Sequence, residues 1–151
     1  MADELGELFD VAIYREIASQ ALYHAAREKT DDAGAKVLLE ELEKGELKHE
    51  RQLKALREKG FRRTPVRRES VADLKMSDYL QAPMTIEGAG LQDTLTFAII
   101  HEQQAVDFYT GLMAILESPE AQSVCQSLMQ SELSHKAKLE RLFDDLFYKE
   151  D

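Results

Sequence analysis

Glu46-Leu47-Lys48-His49 and Glu132-Leu133-Ser134-His135 are two copies of one pattern, a glutamate followed three residues later by a histidine, set 86 residues apart. Residues three apart on an α-helix lie on one face, so each pair can point the same way. Glutamate is common in this chain, 18 of 151 residues, and a single such pair would carry little weight. Its surroundings carry more. Glu16 lies 30 residues before Glu46, and Glu102 lies 30 residues before Glu132. At the same offset of 86, Ala12-Ile13 echoes Ala98-Ile99 and Tyr23 echoes Tyr109. Leu42, Leu53 and Leu56 echo Leu128, Leu139 and Leu142. The chain therefore reads as one hairpin written twice, each half running E…Y…ExxH.

Working outward, four long segments place apolar residues at helical spacing. The first runs from Asp3 to Lys29 and the second from Ala33 to Lys59, with Thr30-Asp31-Asp32 as the turn and N-terminal cap between them. Gly60 suits the second helix's C-terminal cap. The third runs from Leu91 to Glu117. The fourth follows Ser118-Pro119-Glu120, which is a cap, a first-turn proline and an acid at the positive helix end, and continues to Tyr148. Sparse glycine (7) and proline (3) and no tryptophan fit an all-α chain. Residues 1–151 read as one domain: hairpin 3–59, crossover 60–90, hairpin 91–148. The crossover is long enough to return along a helix of ~40 Å, which sets the two hairpins head to tail. It carries the basic residues Arg62, Arg63, Arg67 and Arg68, read as solvated or paired with acidic helix surfaces. A short helix is expected near Val71 to Leu80.

The interval of thirty has a geometric meaning. The midpoint of Glu16 and Glu46 is residue 31, and that of Glu102 and Glu132 is residue 117, both at expected turns. Residues equidistant from the turn of an antiparallel hairpin lie level, here about 22 Å from it. Four carboxylates and two imidazoles then converge near the middle of the bundle. Unpartnered buried carboxylates repel one another and are costly. Two divalent cations neutralise four negative charges, and mixed oxygen and nitrogen ligation suits iron or manganese.

Composition bounds the other possibilities. A net charge of −10 disfavours a general binder of nucleic acid or anionic membranes. The lone cysteine, Cys125, allows no intramolecular disulfide and no CxxC metal site, and reads as a small core residue. Residues Met1 to Asp10 lack the pattern of a signal peptide, and no apolar run approaches the ~20 residues of a membrane span. A cytoplasmic protein is expected.

With these residues in place, the chain resembles the ferritin-like di-iron carboxylate proteins, which carry one glutamate on each of two helices and ExxH on each of the other two. Within that superfamily it is most similar to the rubrerythrin group, on Ala98-x3-Glu102-x6-Tyr109 and Gly45-Glu46-x2-His49. The resemblance implies an antiparallel four-helix bundle of two hairpins joined by a long crossover. It implies two iron ions, with manganese or a mixed pair served by the same ligands. Glu46 and Glu132 would bridge the metals, Glu16 and Glu102 would be terminal ligands, and His49 and His135 would each hold one metal. Tyr23 and Tyr109, two turns beyond the terminal glutamates, would hydrogen-bond to the carboxylates. His24 and His101 lack the pattern and are expected at the surface or in packing, while Glu43 and Glu50 should face away.

Two departures bear on activity. Where rubrerythrins usually carry an additional glutamate on the third helix stands Ala105, whose repeat mate is Ser19. No rubredoxin-type cysteine pair stands in these residues, so an external electron donor is expected. The function implied is an oxidoreductase that reduces hydrogen peroxide or dioxygen. The alternative is a ferroxidase that binds iron(II) for storage or detoxification. A homodimer is expected, and the long crossover would permit two chains to exchange hairpins.

Overall fold

A computed structural model describes residues 4–59 and 88–148 of the chain. They form four α-helices: α1 (Glu4–Glu28), α2 (Ala33–Glu58), α3 (Leu91–Ile115) and α4 (Pro119–Phe147). The crossover arginines, the helix expected near Val71 to Leu80 and the cap expected at Gly60 lie outside the described residues.

The two turns form where cap chemistry places them. Asp32 has extended backbone, and its Oδ2 accepts from the Ala35 N–H at 2.8 Å. Thr30 Oγ1 accepts from the Asp32 N–H at 3.1 Å, tightening the same turn. Ser118 Oγ accepts from the Ala121 N–H at 3.3 Å, and Pro119 fits the first turn of α4, where no partner for its missing N–H is required. Caps of this kind contribute about 1 kcal/mol each. The third helix ends two residues before the expected Glu117. Leu116 leaves the helix in extended conformation and turns into the core at 1% exposure. Its carbonyl accepts from Gln122 Nε2 at 2.5 Å.

Helix α1 packs along α2 and α3 along α4, and the hairpins meet where α1 contacts α3 and α2 contacts α4. Cross-bundle pairs show that these meeting helices run antiparallel. Tyr23 pairs with Glu102 while Tyr109 pairs with Glu16, and His49 approaches Glu132 while His135 approaches Glu46. The architecture is an all-α four-helix bundle.

Two apolar layers fill it. One gathers Leu8, Phe9, Leu53, Leu112, Leu116 and Leu128, with Cys125 fully buried among them. The other gathers Leu39, Leu42, Leu95, Leu139 and Leu142 around Tyr23. Each fully buried leucine contributes about 1.5–3 kcal/mol through the area it removes from water. The six residues of the repeated pattern lie between the layers, held in place by apolar packing above and below. No described helix is long and apolar enough to cross a membrane.

Candidate metal centre

Every residue of the two E…ExxH sets reaches the middle of the bundle. Glu46, Glu102 and Glu132 are fully buried, Glu16 is 2% exposed, His49 5% and His135 8%. Their ligand atoms fall into two groups, each within 4.8 Å: Glu16, Glu46, His49 and Glu132, and Glu46, Glu102, Glu132 and His135. Glu46 and Glu132 belong to both. Helix geometry explains the sharing. Each ExxH glutamate sits one turn from the histidine of its own helix and opposite the histidine of the antiparallel helix. His49 Nδ1 is 2.7 Å from Glu132 Oε1, 3.4 Å from Glu16 Oε2 and 3.7 Å from Glu46 Oε2. His135 Nδ1 donates to Glu46 Oε1 at 2.6 Å and lies 3.7 Å from Glu132 Oε1. The two imidazoles stack, with centroids 5.6 Å apart and planes inclined by 16°.

The tyrosines hydrogen-bond across the bundle. Tyr109 Oη on α3 donates to Glu16 Oε1 on α1 at 2.5 Å, and Tyr23 on α1 donates to Glu102 Oε1 on α3. Both tyrosines are buried, at 1% and 2% exposure. Tyr109→Phe leaves a buried carboxylate oxygen without its donor. The expected result is a ten- to hundredfold, order-of-magnitude loss of divalent-ion affinity at the Glu16 side, measured by calorimetric titration.

Glu43 and Glu50 are half-buried and lie outside both ligand groups. Glu50 accepts from Gln20 Nε2 at 2.7 Å and Lys54 Nζ at 2.6 Å, and Glu43 lies 3.5 Å from Arg27 and 3.7 Å from His24. His24 is exposed. His101 packs at the α1–α3 seam, where its Nε2 donates to the Arg15 carbonyl at 3.0 Å. Its Nδ1 accepts from Arg15 Nη2 at 3.2 Å, and the same nitrogen of Arg15 donates to Gln104 Oε1 at 3.0 Å. Burial and the guanidinium push His101 down to about 4, so it stays neutral. The sequence reading missed this buried pair. Its signal was available, because Arg15 and His101 occupy the same position of the 86-residue repeat. It also missed Ser131, whose Oγ accepts from His49 Nε2 at 2.9 Å.

Protons balance the charge when no ion is bound. Burial, then repulsion from Glu102, Glu16 and Glu132, raises Glu46 well above the carboxylate range. Burial and Glu132 raise Glu102 likewise. Burial would lower His49, but hydrogen bonding to Glu132 and Glu16 outweighs it and raises the imidazole to about 9. Burial would raise Glu132, but His49 reverses this and brings it to about 2. His135 is lowered to about 4, chiefly by burial. A histidine raised from 6.5 to about 9 contributes stability that is fully present below 6.5 and is lost as pH rises through 9. The raised carboxyls act in the same direction, losing stability as pH rises. Those of His135 and Glu132 are lost as pH falls, below 6.5 and below 4.5 respectively. The melting temperature of the metal-free chain should therefore fall between pH 6.5 and 9, and ion loading should flatten that decline. Thermal scans with and without manganese(II) check both.

The donor set fits a pair of divalent ions. Glu46 Oε2, Glu102 Oε2 and Glu132 Oε2 are buried without a hydrogen-bond partner. Buried polar atoms are nearly always paired, and such a cluster of lone pairs suits cations. Carboxylate and imidazole donors suit iron or manganese.

No protein-family model and no curated protein matches this chain. Solved structures do. A hypothetical protein from Pyrococcus furiosus superposes with a TM-score of 0.71 at 23% identity, covering 93% of this chain and 88% of its own. A two-domain protein from Anabaena variabilis, with a DJ-1/ThiJ/PfpI-like and a ferritin-like domain, superposes with a TM-score of 0.68 at 14% identity. That match covers 99% of this chain, which spans 39% of the larger protein. At these identities the likeness is one of fold alone: the chain shares an all-α four-helix bundle with these structures.

Proposed function

We propose that this bundle holds two iron ions and is an oxidoreductase acting on hydrogen peroxide or dioxygen, in the manner of a rubrerythrin. The observation that supports it most is the sharing of Glu46 and Glu132 between two otherwise separate ligand groups. Residues shared in that way would hold two ions close together, as two-metal catalytic sites do. A pair of iron(II) ions supplies two electrons, the number needed to cleave the O–O bond of peroxide to water.

The protein's part is positioning, charge balance and exclusion of water. Glu16 and His49 would hold one ion and Glu102 and His135 the other, with Glu46 and Glu132 available to both. Tyr23 and Tyr109 keep the outer carboxylates turned inward through their phenol hydrogen bonds. The apolar layers on either side keep bulk water from the reacting atoms. An external reductant would be needed to restore iron(II). Ala105 offers no carboxylate where rubrerythrins carry their additional glutamate, so on this reading the six pattern residues alone hold the ions throughout the cycle.

The test is anaerobic. Iron(II)-loaded protein is mixed with hydrogen peroxide and the near-ultraviolet charge-transfer absorbance of iron(III) is followed. One peroxide should oxidise two irons per chain. An absence of oxidation, or oxidation no faster than that of free iron(II), contradicts the proposal.

A further inference from the structure

The two halves of the centre differ at the repeat position that faces the histidines. Ser131 precedes Glu132, and its mate 86 residues earlier, Gly45, precedes Glu46. Each stands beside the histidine of the opposite helix. Ser131 Oγ accepts from His49 Nε2 at 2.9 Å. At Gly45, an added Cβ would lie 3.1 Å from both Cε1 and Nε2 of His135. One ring is thus held by a hydrogen bond, and the other is admitted by the absence of a side chain.

We propose that Ser131 is a positioning residue that makes the two metal positions unequal, favouring the ion held by Glu16 and His49; this rests on the di-metal reading above. An imidazole that offers the Nδ1 lone pair to an ion must carry its proton on Nε2. A hydroxyl accepting that proton fixes the tautomer, stops the ring from turning and makes Nδ1 a better donor. Ser131 does this for His49. Glycine has no side chain with which to do it for His135, and it fixes that ring by fit alone. With Gly45→Ala the new Cβ would meet the ring at 3.1 Å, closer than ordinary van der Waals contact, so the His135 ring would have to shift by a few tenths of an ångström. The Ser131–His49 contact is only partly buried, so water can replace part of it, and the effect belongs at the low end of such interactions, about tenfold.

The experiment isolates each half. Glu102 belongs only to the His135 group and Glu16 only to the His49 group. Manganese(II) is titrated calorimetrically into metal-stripped protein carrying Glu102→Ala or Glu16→Ala, each with and without Ser131→Ala. In the Glu102→Ala background, Ser131→Ala should weaken the remaining ion about tenfold, and Ser131→Thr should restore it. In the Glu16→Ala background it should change nothing. Nitrogen-15 spectra of the zinc-loaded proteins provide a second readout: the His49 Nε2–H proton should exchange slowly with water in the serine and threonine proteins and faster with alanine. Equal affinities with serine and alanine in the Glu102→Ala background, with manganese still bound, overturn the role of Ser131 and leave the di-metal reading intact. Failure of the unsubstituted chain to bind manganese overturns that reading and, with it, this proposal.

Discussion

Saturating the metal-stripped chain with manganese(II) at neutral pH should raise its melting temperature by on the order of 10 °C. The metal-free centre confines Glu16, Glu46, Glu102 and Glu132 with His49 and His135 between two apolar layers, and Glu46 Oε2, Glu102 Oε2 and Glu132 Oε2 have no hydrogen-bond partner. Those atoms were stripped of water on folding and regain little from the protein. Ions that bind only the folded state add RT ln(1 + [L]/Kd), or about 4 kcal/mol at a thousandfold excess over Kd. For a chain of this size each kcal/mol moves the midpoint by about 2–4 °C. Calorimetric scans at several manganese concentrations should show a midpoint that climbs with the logarithm of concentration. Magnesium should do less, because it dehydrates reluctantly and imidazole suits it poorly.

The second large effect separates the site from the scaffold. Glu46→Gln keeps the shape of the side chain and an oxygen that can accept from His135 Nδ1, but removes a charge that burial and three other carboxylates disfavour. At pH 8 the metal-free variant should melt higher than the parent, by about 2–4 °C if the relief is about 1 kcal/mol. Its ion affinity should move the opposite way. Glu46 belongs to both ligand groups, so both ions lose a charged donor. The loss should exceed the ten- to hundredfold typical of removing an outer hydrogen-bond partner. A gain in stability joined to a loss of binding is the mark of a residue kept for function against the preference of the fold. Calorimetry and ion titration of the same two proteins read both quantities.

The helical hairpins and the gathering of the six polar residues were legible because both follow from counting. An interval of thirty centred on a turn places Glu16 level with Glu46 whatever their rotamers, and ExxH places each histidine on the face of its glutamate. Asp32 and Ser118 announced their turns through capping chemistry that acts over three residues. What counting misses is anything decided between helices. The spacing of Tyr23 from Glu16 puts both on one face of α1. It does not reveal that the phenol passes its own helix's glutamate and reaches Glu102, which depends on how far α3 is staggered against α1. The hydrogen bond from His49 to Ser131 likewise depends on ring rotation. The early end of α3 came from tertiary packing, since burying Leu116 outweighed two further residues of helix. The pairing of Arg15 with His101 escaped notice for a related reason. Each looks like an ordinary polar residue on its own helix, and only the antiparallel α1–α3 contact turns them into a buried pair.

One measurement bears most directly on the di-metal centre. Crystals of the protein loaded anaerobically with iron(II) would be measured on either side of the iron absorption edge. The account predicts two anomalous peaks per chain, about 3.5–4 Å apart, in the middle of the bundle. Glu46 and Glu132 should contact both, Glu16 and His49 one, and Glu102 and His135 the other. No peak among these six residues, or iron only on surface carboxylates, would contradict it.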